Sequence, residues 1–239
     1  MQWTGEGLII GVRRHGESSV IAEVMVAGRG RQLGLVRGGR SSRMTPTLQP
    51  GNSVQATWRA RLEDHLGTFA VELLVARAAR LMADRLQLYA SQLLCEHLRL
   101  LPERDPHDRL LAFAITILDA SLPPDGLGVA LARFELTLLE ELGFGLDLSS
   151  CAATGSTRDL THVSPKSGRA VSRAAAEPWL ERLLPLPPFL VGAAAPGPGD
   201  VAAAFALTGH FLDLNGWMPR RLDPPPIREA LIQLVTSQA

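Results

Sequence analysis

The fold is decided by residues 19–37, which carry the sequence SVIAEVMVAGRGRQLGLVR. Apolar and β-branched side chains alternate along its first half, with one face apolar throughout and the other mixed: Val20, Ala22, Val24 and Val26 against Ile21, Glu23 and Met25. A period of two is typical of a β-strand. Gly28-Arg29-Gly30 then supplies glycines for the positive φ angles of a tight hairpin, so residues 32–37 are predicted to form the returning strand.

The same pattern extends over about the first 75 residues. Short apolar runs separated by glycine turns predict five strands, at residues 7–14, 19–27, 32–37, 53–61 and 68–75. The loop at residues 38–52 is longer and contains Gly38-Gly39, Pro46 and Pro50-Gly51. Five short strands with one long loop and a basic surface indicate an OB-fold β-barrel, which we place at residues 1–77.

After Leu74 the apolar period changes from two to about 3.6, which predicts helices. Apolar stripes at this spacing cover residues 82–101, a segment after Asp105-Pro106 that runs to Leu118, residues 127–142, residues 200–215, and a last segment after Pro224-Pro225-Pro226. We therefore predict an α+β chain in which the barrel is followed by an all-helical domain, residues 78–239. Residues 147–173, rich in Ser, Thr and Gly and without a clear period, are predicted to be an insertion in that domain.

The formal net charge of zero conceals a strong asymmetry along the chain. Residues 1–61 hold nine arginines and three acidic residues, a net charge of +6, and the other residues carry −6. The nine are Arg13, Arg14, Arg29, Arg31, Arg37, Arg40, Arg43, Arg59 and Arg61. Clustered guanidinium groups suit phosphate oxygens, because the fork geometry matches them and neutralised phosphates release counterions. These arginines are the candidate nucleic-acid-binding residues, and a merely solvated, charged barrel surface is the alternative.

Aromatic platforms for base stacking are few in the N-terminal region: Trp3, Trp58 and Phe69. Trp58 lies in a predicted strand, where core packing and base stacking are equally compatible with the pattern. Sparse aromatics favour contacts to the phosphate backbone over recognition of bases.

Sequence signatures of catalysis and of metal binding are absent. Lys166 follows Pro165, which rules out a phosphate-binding P-loop. The six histidines are scattered, without a His-Glu-x-x-His pair, and no Gly-x-Ser-x-Gly elbow occurs. We therefore expect no enzymatic activity.

The apolar regions, the first residues and the cysteines of the sequence together predict a cytoplasmic location. Prolines interrupt the apolar C-terminal region, so no membrane span is predicted, and the first residues do not resemble a signal peptide. Two unpatterned cysteines, Cys95 and Cys151, suit a reducing compartment. The expectation is a cytoplasmic, nucleoid-associated protein without a membrane partner.

Several strings, in order along nearly the whole chain, resemble the RecO family of bacterial DNA repair and recombination mediators. In the N-terminal part they are GEGLII at 5–10, RHGESS at 14–19, GGRS at 38–41, LQPG at 48–51 and LG at 66–67. In the helical part they are FE-x-x-LL-x-x-LG-x-x-x-DL at 134–148, Cys151, and VSPKSGRAV at 163–171. No single string is diagnostic, but their order and spacing together are fairly specific.

The resemblance implies an OB-fold domain and a helical domain, without enzymatic turnover. It further implies binding of single- and double-stranded DNA, annealing of complementary strands, and contacts with RecR and with the C-terminal tail of single-stranded-DNA-binding protein (SSB), which help load RecA onto coated strands. Arg109 or Arg133 could receive such an acidic tail, although a solvated helix face explains either residue as well.

The resemblance also implies a zinc-ribbon-like insertion, from which this chain departs. Many family members carry a Cys-x-x-Cys pair at the position of Cys151 and a second pair about 20 residues on, a four-thiolate zinc site. Here only Cys151 remains, and Thr154, Ser172 and Ala175 stand at the other positions. One thiolate cannot close a tetrahedral site, so we predict a degenerate zinc-finger-like insertion at 147–173, no metal ligands and no cofactor.

Two other functions remain open from the residues alone. One is an RNA-binding or ribosome-associated OB-fold protein. The other is a protein-interaction scaffold whose basic patch binds an acidic protein.

Overall fold

A computed structural model of the chain describes residues 1–62, 65–192 and 194–237. Residues 63, 64, 193, 238 and 239, which the predicted domains 1–77 and 78–239 include, lie outside the described residues. The chain divides into two compact units, Met1–Ala120 and Ser121–Ala239, here called the barrel unit and the helical unit.

The barrel unit begins with five strands that close into a barrel in the order β1-β2-β3-β5-β4. They are β1 (Gln2–His15), β2 (Ser19–Val26), β3 (Gly30–Val36), β4 (Ser53–Arg59) and β5 (Thr68–Val75). The long first strand pairs with β4 through residues 2–8 and with β2 through residues 7–15. A register shift between Ile9 and Gly11 accompanies the change of partner, as expected where a strand bends to close a barrel.

The hairpin between β2 and β3 has the turn chemistry that the sequence predicts. Gly28 and Gly30 adopt φ angles of +68° and +67°, which side chains other than glycine rarely allow. At Gly30 a Cβ atom would also lie 1.8 Å from the carbonyl oxygen of Asp105, so the turn packs directly on the loop before the third helix.

Three helices complete the barrel unit: α1 (Ala78–Ala83), α2 (Arg85–Leu98) and α3 (Asp108–Asp119). The single helix predicted over 82–101 is wrong, because Asp84 takes an extended conformation and its Oδ1 accepts a hydrogen bond from Gln87 N at 2.9 Å. The third helix begins at Asp108, not directly after Asp105-Pro106.

Buried polar contacts hold these helices on the barrel. The Glu23 carboxylate on β2, 8% exposed, accepts hydrogen bonds from Arg31 on β3 and from Nε of Arg99, the residue that follows α2, the latter at 2.8 Å. Asn52 Oδ1 accepts from the backbone N–H groups of Arg77 and Ala78 at 2.8 and 2.9 Å, where α1 begins. The boundary predicted between residues 77 and 78 therefore falls inside the first compact unit.

The described residues of the helical unit form four α-helices, short 3-10 helices at Glu177–Arg182, Pro188–Leu190 and Met218–Arg220, and a small sheet. The helices are α4 (Pro124–Glu141), the short α5 (Arg173–Ala176), α6 (Asp200–Leu212), which continues as a π-helical turn over Asp213–Trp217, and α7 (Pro226–Thr236). The strands β6 (Leu160–Val163), β7 (Ala170–Ser172) and β8 (Leu184–Pro185) form a sheet in the order β7-β6-β8.

The predicted α+β class is confirmed in its outline, a five-stranded N-terminal sheet followed by a mainly helical part. Within residues 78–239, β6 and β7 lie in the predicted insertion at 147–173, and β8, at Leu184–Pro185, is a strand outside it that the prediction lacks. Strands of two to four residues are too short to show a period in the sequence. Within the described ranges, no helix has both the length and the apolar character that crossing a bilayer requires.

Candidate nucleic-acid interface

The predicted arginines lie mainly on the solvent-facing surface of the barrel. Eight of the nine are exposed: Arg13, Arg14, Arg29, Arg37, Arg40, Arg43, Arg59 and Arg61. Of the three acidic residues in the same segment, Glu6 and Glu17 are exposed, and Glu23 is buried in its contacts with arginine. The barrel surface therefore keeps an excess of positive charge.

Two of these arginines line a groove of about 550 Å³, here called the β4–β5 groove. Its walls are Val36 and Arg37 at the end of β3, Met44 from the long loop, Thr57 and Arg59 on β4, and residues 68–71 on β5. Arg59 pairs directly with Thr68 across the ladder. The hydroxyl groups of both groove threonines bond within the barrel, Thr68 to Arg59 O at 3.4 Å and Thr57 to Thr4 Oγ1 at 3.0 Å. Arg37 and Arg59 are therefore the groups of this groove that can contact a phosphate.

Two other arginines line a second groove of about 460 Å³, here called the β1–β2 groove. Its walls are Val12 and Arg14 on β1, Val20 on β2, and Gly39, Arg40, Thr45, Leu48, Gln49 and Pro50 from the long loop. Arg40 Nη1 donates to the carbonyl oxygens of Gly16 and Glu17, which hold its guanidinium in place.

The loop at residues 38–52 separates the walls of these grooves and is internally ordered. Thr45 N donates to Ser41 O at 3.0 Å and Leu48 N to Met44 O at 3.1 Å, which gives the loop a helical turn. Leu48 is 3% exposed and belongs to the barrel core. Arg43 stands exposed on this turn.

Arg31 differs from the other arginines that were predicted to bind nucleic acid, because its guanidinium bonds within the barrel unit. Its Nη1 donates to Glu23 and its Nε donates to Leu101 O at 2.9 Å, so the guanidinium is committed to contacts within the barrel unit. Glu23 and Arg31 are diagonal neighbours on adjacent strands, since the direct partner of Glu23 is Leu33, two residues from Arg31. An acidic residue on the mixed face of the hairpin was the sequence signal for this pairing.

Of the two alternatives left open for Trp58, base stacking and core packing, the structure rules out a surface for base stacking. Its side chain is 2% exposed, its Nε1 donates to Leu66 O at 3.1 Å, and Trp3 stacks on it with ring centroids 5.9 Å apart. Core packing, the other reading of this residue, is correct. The guanidinium of Arg29 lies 4.9 Å from the centroid of the Trp3 ring, so this arginine, although exposed, has an aromatic contact of its own.

The two arginines considered for a partner's acidic tail belong to different compact units. Arg109 is exposed on α3. Arg133 on α4 is exposed, but its Nη2 donates to the carbonyl oxygens of Phe189 and Gly192 at 2.7 and 3.1 Å. Arg133 therefore bonds to the backbone of its own unit, which leaves fewer of its N–H groups to contact the acidic tail of a partner.

The four positions of the family's zinc site lie together in the helical unit, but their side chains do not fit the metal. Cys151 Sγ accepts hydrogen bonds from Ser172 N at 3.2 Å and Ser172 Oγ at 3.3 Å, and Ala175 packs against Cys151. Burial opposes ionisation of the thiol, but hydrogen bonds from Ser172, from the Thr154 side chain and from the Ala153 backbone lower the pKa of Cys151 to about 6. One sulfur, two hydroxyl groups and a methyl group do not make the four N/S ligands of a structural zinc site.

The side chains that commonly bind metal ions are also dispersed over the rest of the described residues. In the ranges 1–62, 65–192 and 194–237, no three His, Cys, Asp or Glu side chains gather closely enough to hold a metal ion.

Comparison with known proteins covers the chain from end to end. The family model "Recombination protein O N terminal" matches residues 1–92, and "Recombination protein O C terminal" matches residues 82–220. The chain is 57% identical to the DNA repair protein RecO of Methylobacterium nodulans, with 100% of both chains covered. It is 54% identical to the proteins of the same name from Chelativorans sp. and Rhizobium etli, with 98% of this chain and 96% and 92% of theirs covered. The chain therefore belongs to the RecO family, whose members are named DNA repair proteins.

Proposed function

We propose that this protein is a non-catalytic, DNA-binding recombination mediator whose N-terminal barrel, of the OB-fold type, holds nucleic acid by its phosphate backbone. The observation that carries the proposal is the pairing of exposed arginines along two grooves, Arg37 with Arg59 and Arg14 with Arg40. Paired guanidinium groups along a groove match the spacing of charges along a polynucleotide better than scattered surface arginines do.

The mechanism is electrostatic. Two strands that approach each other repel through their phosphates, and arginines that neutralise those phosphates lower the barrier to pairing. Base recognition has no part in it, because Trp58 and Phe69 are buried, at 2% and 5% exposed. The protein binds single and double strands and anneals complementary ones without preference for sequence.

Residues 78–239, which include α1 to α3 of the barrel unit and the whole helical unit, serve for folding and for partners. RecR and the C-terminal tail of SSB are the partners proposed for these residues, so that recombinase is loaded onto SSB-coated single strands in the RecF pathway. Arg109, on α3 of the barrel unit, remains the proposed contact for the acidic tail. Residues 147–173 are proposed to be a degenerate zinc-ribbon-like insertion that packing and hydrogen bonds hold without metal. The protein acts in the cytoplasm, on the nucleoid.

The test is DNA binding and annealing across a salt series with Arg37, Arg40 and Arg43 changed together to Ala. Each phosphate contact to a single strand contributes roughly 0.7 to the slope of log K against log salt, so losing three should lower the slope by about 2. The control changes Arg85, Arg158 and Arg182 together to Ala, which removes the same charge from exposed positions outside the grooves.

A slope and an annealing rate that both remain at the wild-type values in the first variant would move the site away from the loop. Competition between single-stranded DNA and structured RNA separates this function from an RNA-binding one. Weak DNA binding even at low salt would favour a protein-interaction scaffold.

A further inference from the structure

We infer that residues 38–52 form a ridge that divides the arginine surface into two tracks, and that each groove holds one polynucleotide strand, so that a single chain binds two strands side by side. The inference rests on the proposed function and goes beyond it, because it assigns each strand to its own site on the barrel.

The ridge is fixed to the walls of both grooves. Gly39 N donates to Val36 O at 3.3 Å, on the side of the β4–β5 groove, and Arg40 N donates to Ser18 O at 3.1 Å, beside the β1–β2 groove. A Cβ atom on Gly39 would lie 2.5 Å from Val20 Cγ2, so the loop backbone presses directly onto β2. The ridge is thus a built part of the barrel and not a loose loop above it.

Successive residues of the ridge face different grooves. Met44 lines the β4–β5 groove and Thr45 lines the β1–β2 groove. They lie in the helical turn closed by the Thr45–Ser41 and Leu48–Met44 hydrogen bonds, where neighbouring side chains point about 100° apart. One turn of backbone therefore supplies a wall to each track.

The two tracks are close enough for strands held in them to interact. Val20 in the wall of one groove is the direct cross-strand partner of Val36 in the wall of the other, so the two grooves adjoin on the β2–β3 ladder. Phosphates of strands that are brought together for pairing repel within the screening length of about 10 Å at 0.1 M salt, so each strand needs cations of its own. Each groove has two exposed arginines, which supply the strand in that groove with its own positive charge.

The lining of the grooves leaves bases available for pairing. Of the described residues that line either groove, none is an exposed aromatic, since Phe69 is 5% exposed. A strand held by phosphate contacts alone keeps its base edges unstacked from protein. Two such strands, each neutralised and each with free bases, are in the state from which annealing starts.

The test counts strands bound per chain by native mass spectrometry of the full-length protein with a six-nucleotide oligothymidylate, which cannot pair with itself. Wild-type protein is expected to bind two oligonucleotides at saturation. Arg37→Ala with Arg59→Ala should bind one, Arg14→Ala with Arg40→Ala should bind one, and all four changes together should bind none. As the charge-matched control, Arg85→Ala with Arg182→Ala removes two exposed arginines that line neither groove and lie outside the predicted binding set, and should still bind two.

Either double variant should also lose strand annealing while it retains one bound strand, because annealing needs both tracks. Versions with Lys at the same pairs keep the charge and should bind two oligonucleotides again, which separates loss of charge from loss of folding. Saturation of the wild type at one strand, or loss of both strands in one double variant, would overturn the two-track arrangement while leaving the proposed DNA binding intact. Wild-type protein that binds no oligonucleotide at low salt would overturn the proposed function itself, and the tracks with it.

Discussion

Arg228 forms a bidentate ion pair with Glu135 inside the helical unit, with Nε donating to Oε1 at 2.8 Å and Nη2 donating to Oε2 at 2.9 Å. The Glu135 side chain on α4 is 1% exposed. Arg228 Nη2, on α7, also donates to Phe205 O on α6 at 2.7 Å. One guanidinium group thus joins three helices, and the C-terminal helix depends on it for its place.

Replacing Arg228 with Met should cost about 3–5 kcal/mol of stability, because a buried carboxylate loses its guanidinium partner. Urea unfolding followed by circular dichroism measures this loss. Arg182→Met, at an exposed arginine, is the control and should change stability by about 0.5 kcal/mol or less. Changing Glu135 to Leu together with Arg228→Met should recover part of the loss, and a single Arg228→Met variant as stable as the control would contradict the prediction.

The barrel unit contains an ion pair whose strength should depend on pH. Arg77, 5% exposed, donates from Nε and Nη2 to the two carboxylate oxygens of Asp119 at the end of α3. Hydrogen bonding from Arg77 lowers the pKa of Asp119 below its usual value. Because the pKa is lower in the folded chain than in the unfolded one, ionised Asp119 contributes stability above about pH 4, and this contribution is lost as the pH falls through the folded pKa.

We therefore expect the stability gap between the wild type and Asp119→Asn to be constant above about pH 5 and to narrow as the pH falls below about 4. Urea unfolding of both proteins over this pH range measures the gap. A gap that stays constant down to the acid limit of folding would show that the Arg77 contact does not depend on the charge of Asp119.

The positions of the strands could be predicted because the alternation of apolar residues is a local signal in the sequence. The length of a strand could not be predicted where it depends on pairing with a strand that is distant in the sequence. Alternation and glycine turns predict a strand at 19–27, and the structure has β2 at Ser19–Val26. The sequence predicts the first strand only from residue 7, yet the strand begins at Gln2, because residues 2–6 pair with β4 residues that lie 49 to 57 positions further along the chain. A helix break of one residue at Asp84 was missed because it leaves the apolar spacing almost unchanged.

For the candidate nucleic-acid interface, the sequence predicts which residues supply the positive charge but not how those residues are arranged on the barrel. The sequence identifies the arginines, but their distribution between two grooves depends on how residues 38–52 pack across the barrel end. Arg31 is engaged by Glu23 because the pairing of two strands brings these side chains into contact. Trp58 was ambiguous because an alternating strand places a tryptophan inside or outside a barrel according to register alone.

The thiol of Cys151 should titrate near neutrality. Its pKa of about 6 follows from hydrogen bonds that outweigh burial, whereas burial raises the pKa of Cys95 to about 12. Thiolate absorbance in the ultraviolet below pH 9 should therefore report Cys151 alone, with a midpoint near pH 6. Ser172→Ala removes the Oγ–H donor and should move the midpoint upward, whereas Ser149→Ala, at a serine that bonds to Asp147 instead, should not. A wild-type midpoint above pH 8 would contradict the prediction.

The zinc site should be absent in the wild type and restorable by three substitutions. Wild-type protein is expected to carry no stoichiometric zinc on elemental analysis, because Cys151 is the one thiolate among the four positions. Ser172 Oγ and the Thr154 side chain bond to Cys151 Sγ, and Ala175 packs against the cluster that contains Cys151, so Thr154→Cys, Ser172→Cys and Ala175→Cys together restore the family's four thiolates in one region of the helical unit. The triple variant should bind one zinc ion per chain and should melt at a higher temperature with zinc than with a chelator. Thr154→Ser with Ala175→Ser, which leaves Ser172 as it is, gives the control, and it should show neither effect. Stoichiometric zinc in the wild type would mean that ligands other than these four hold it.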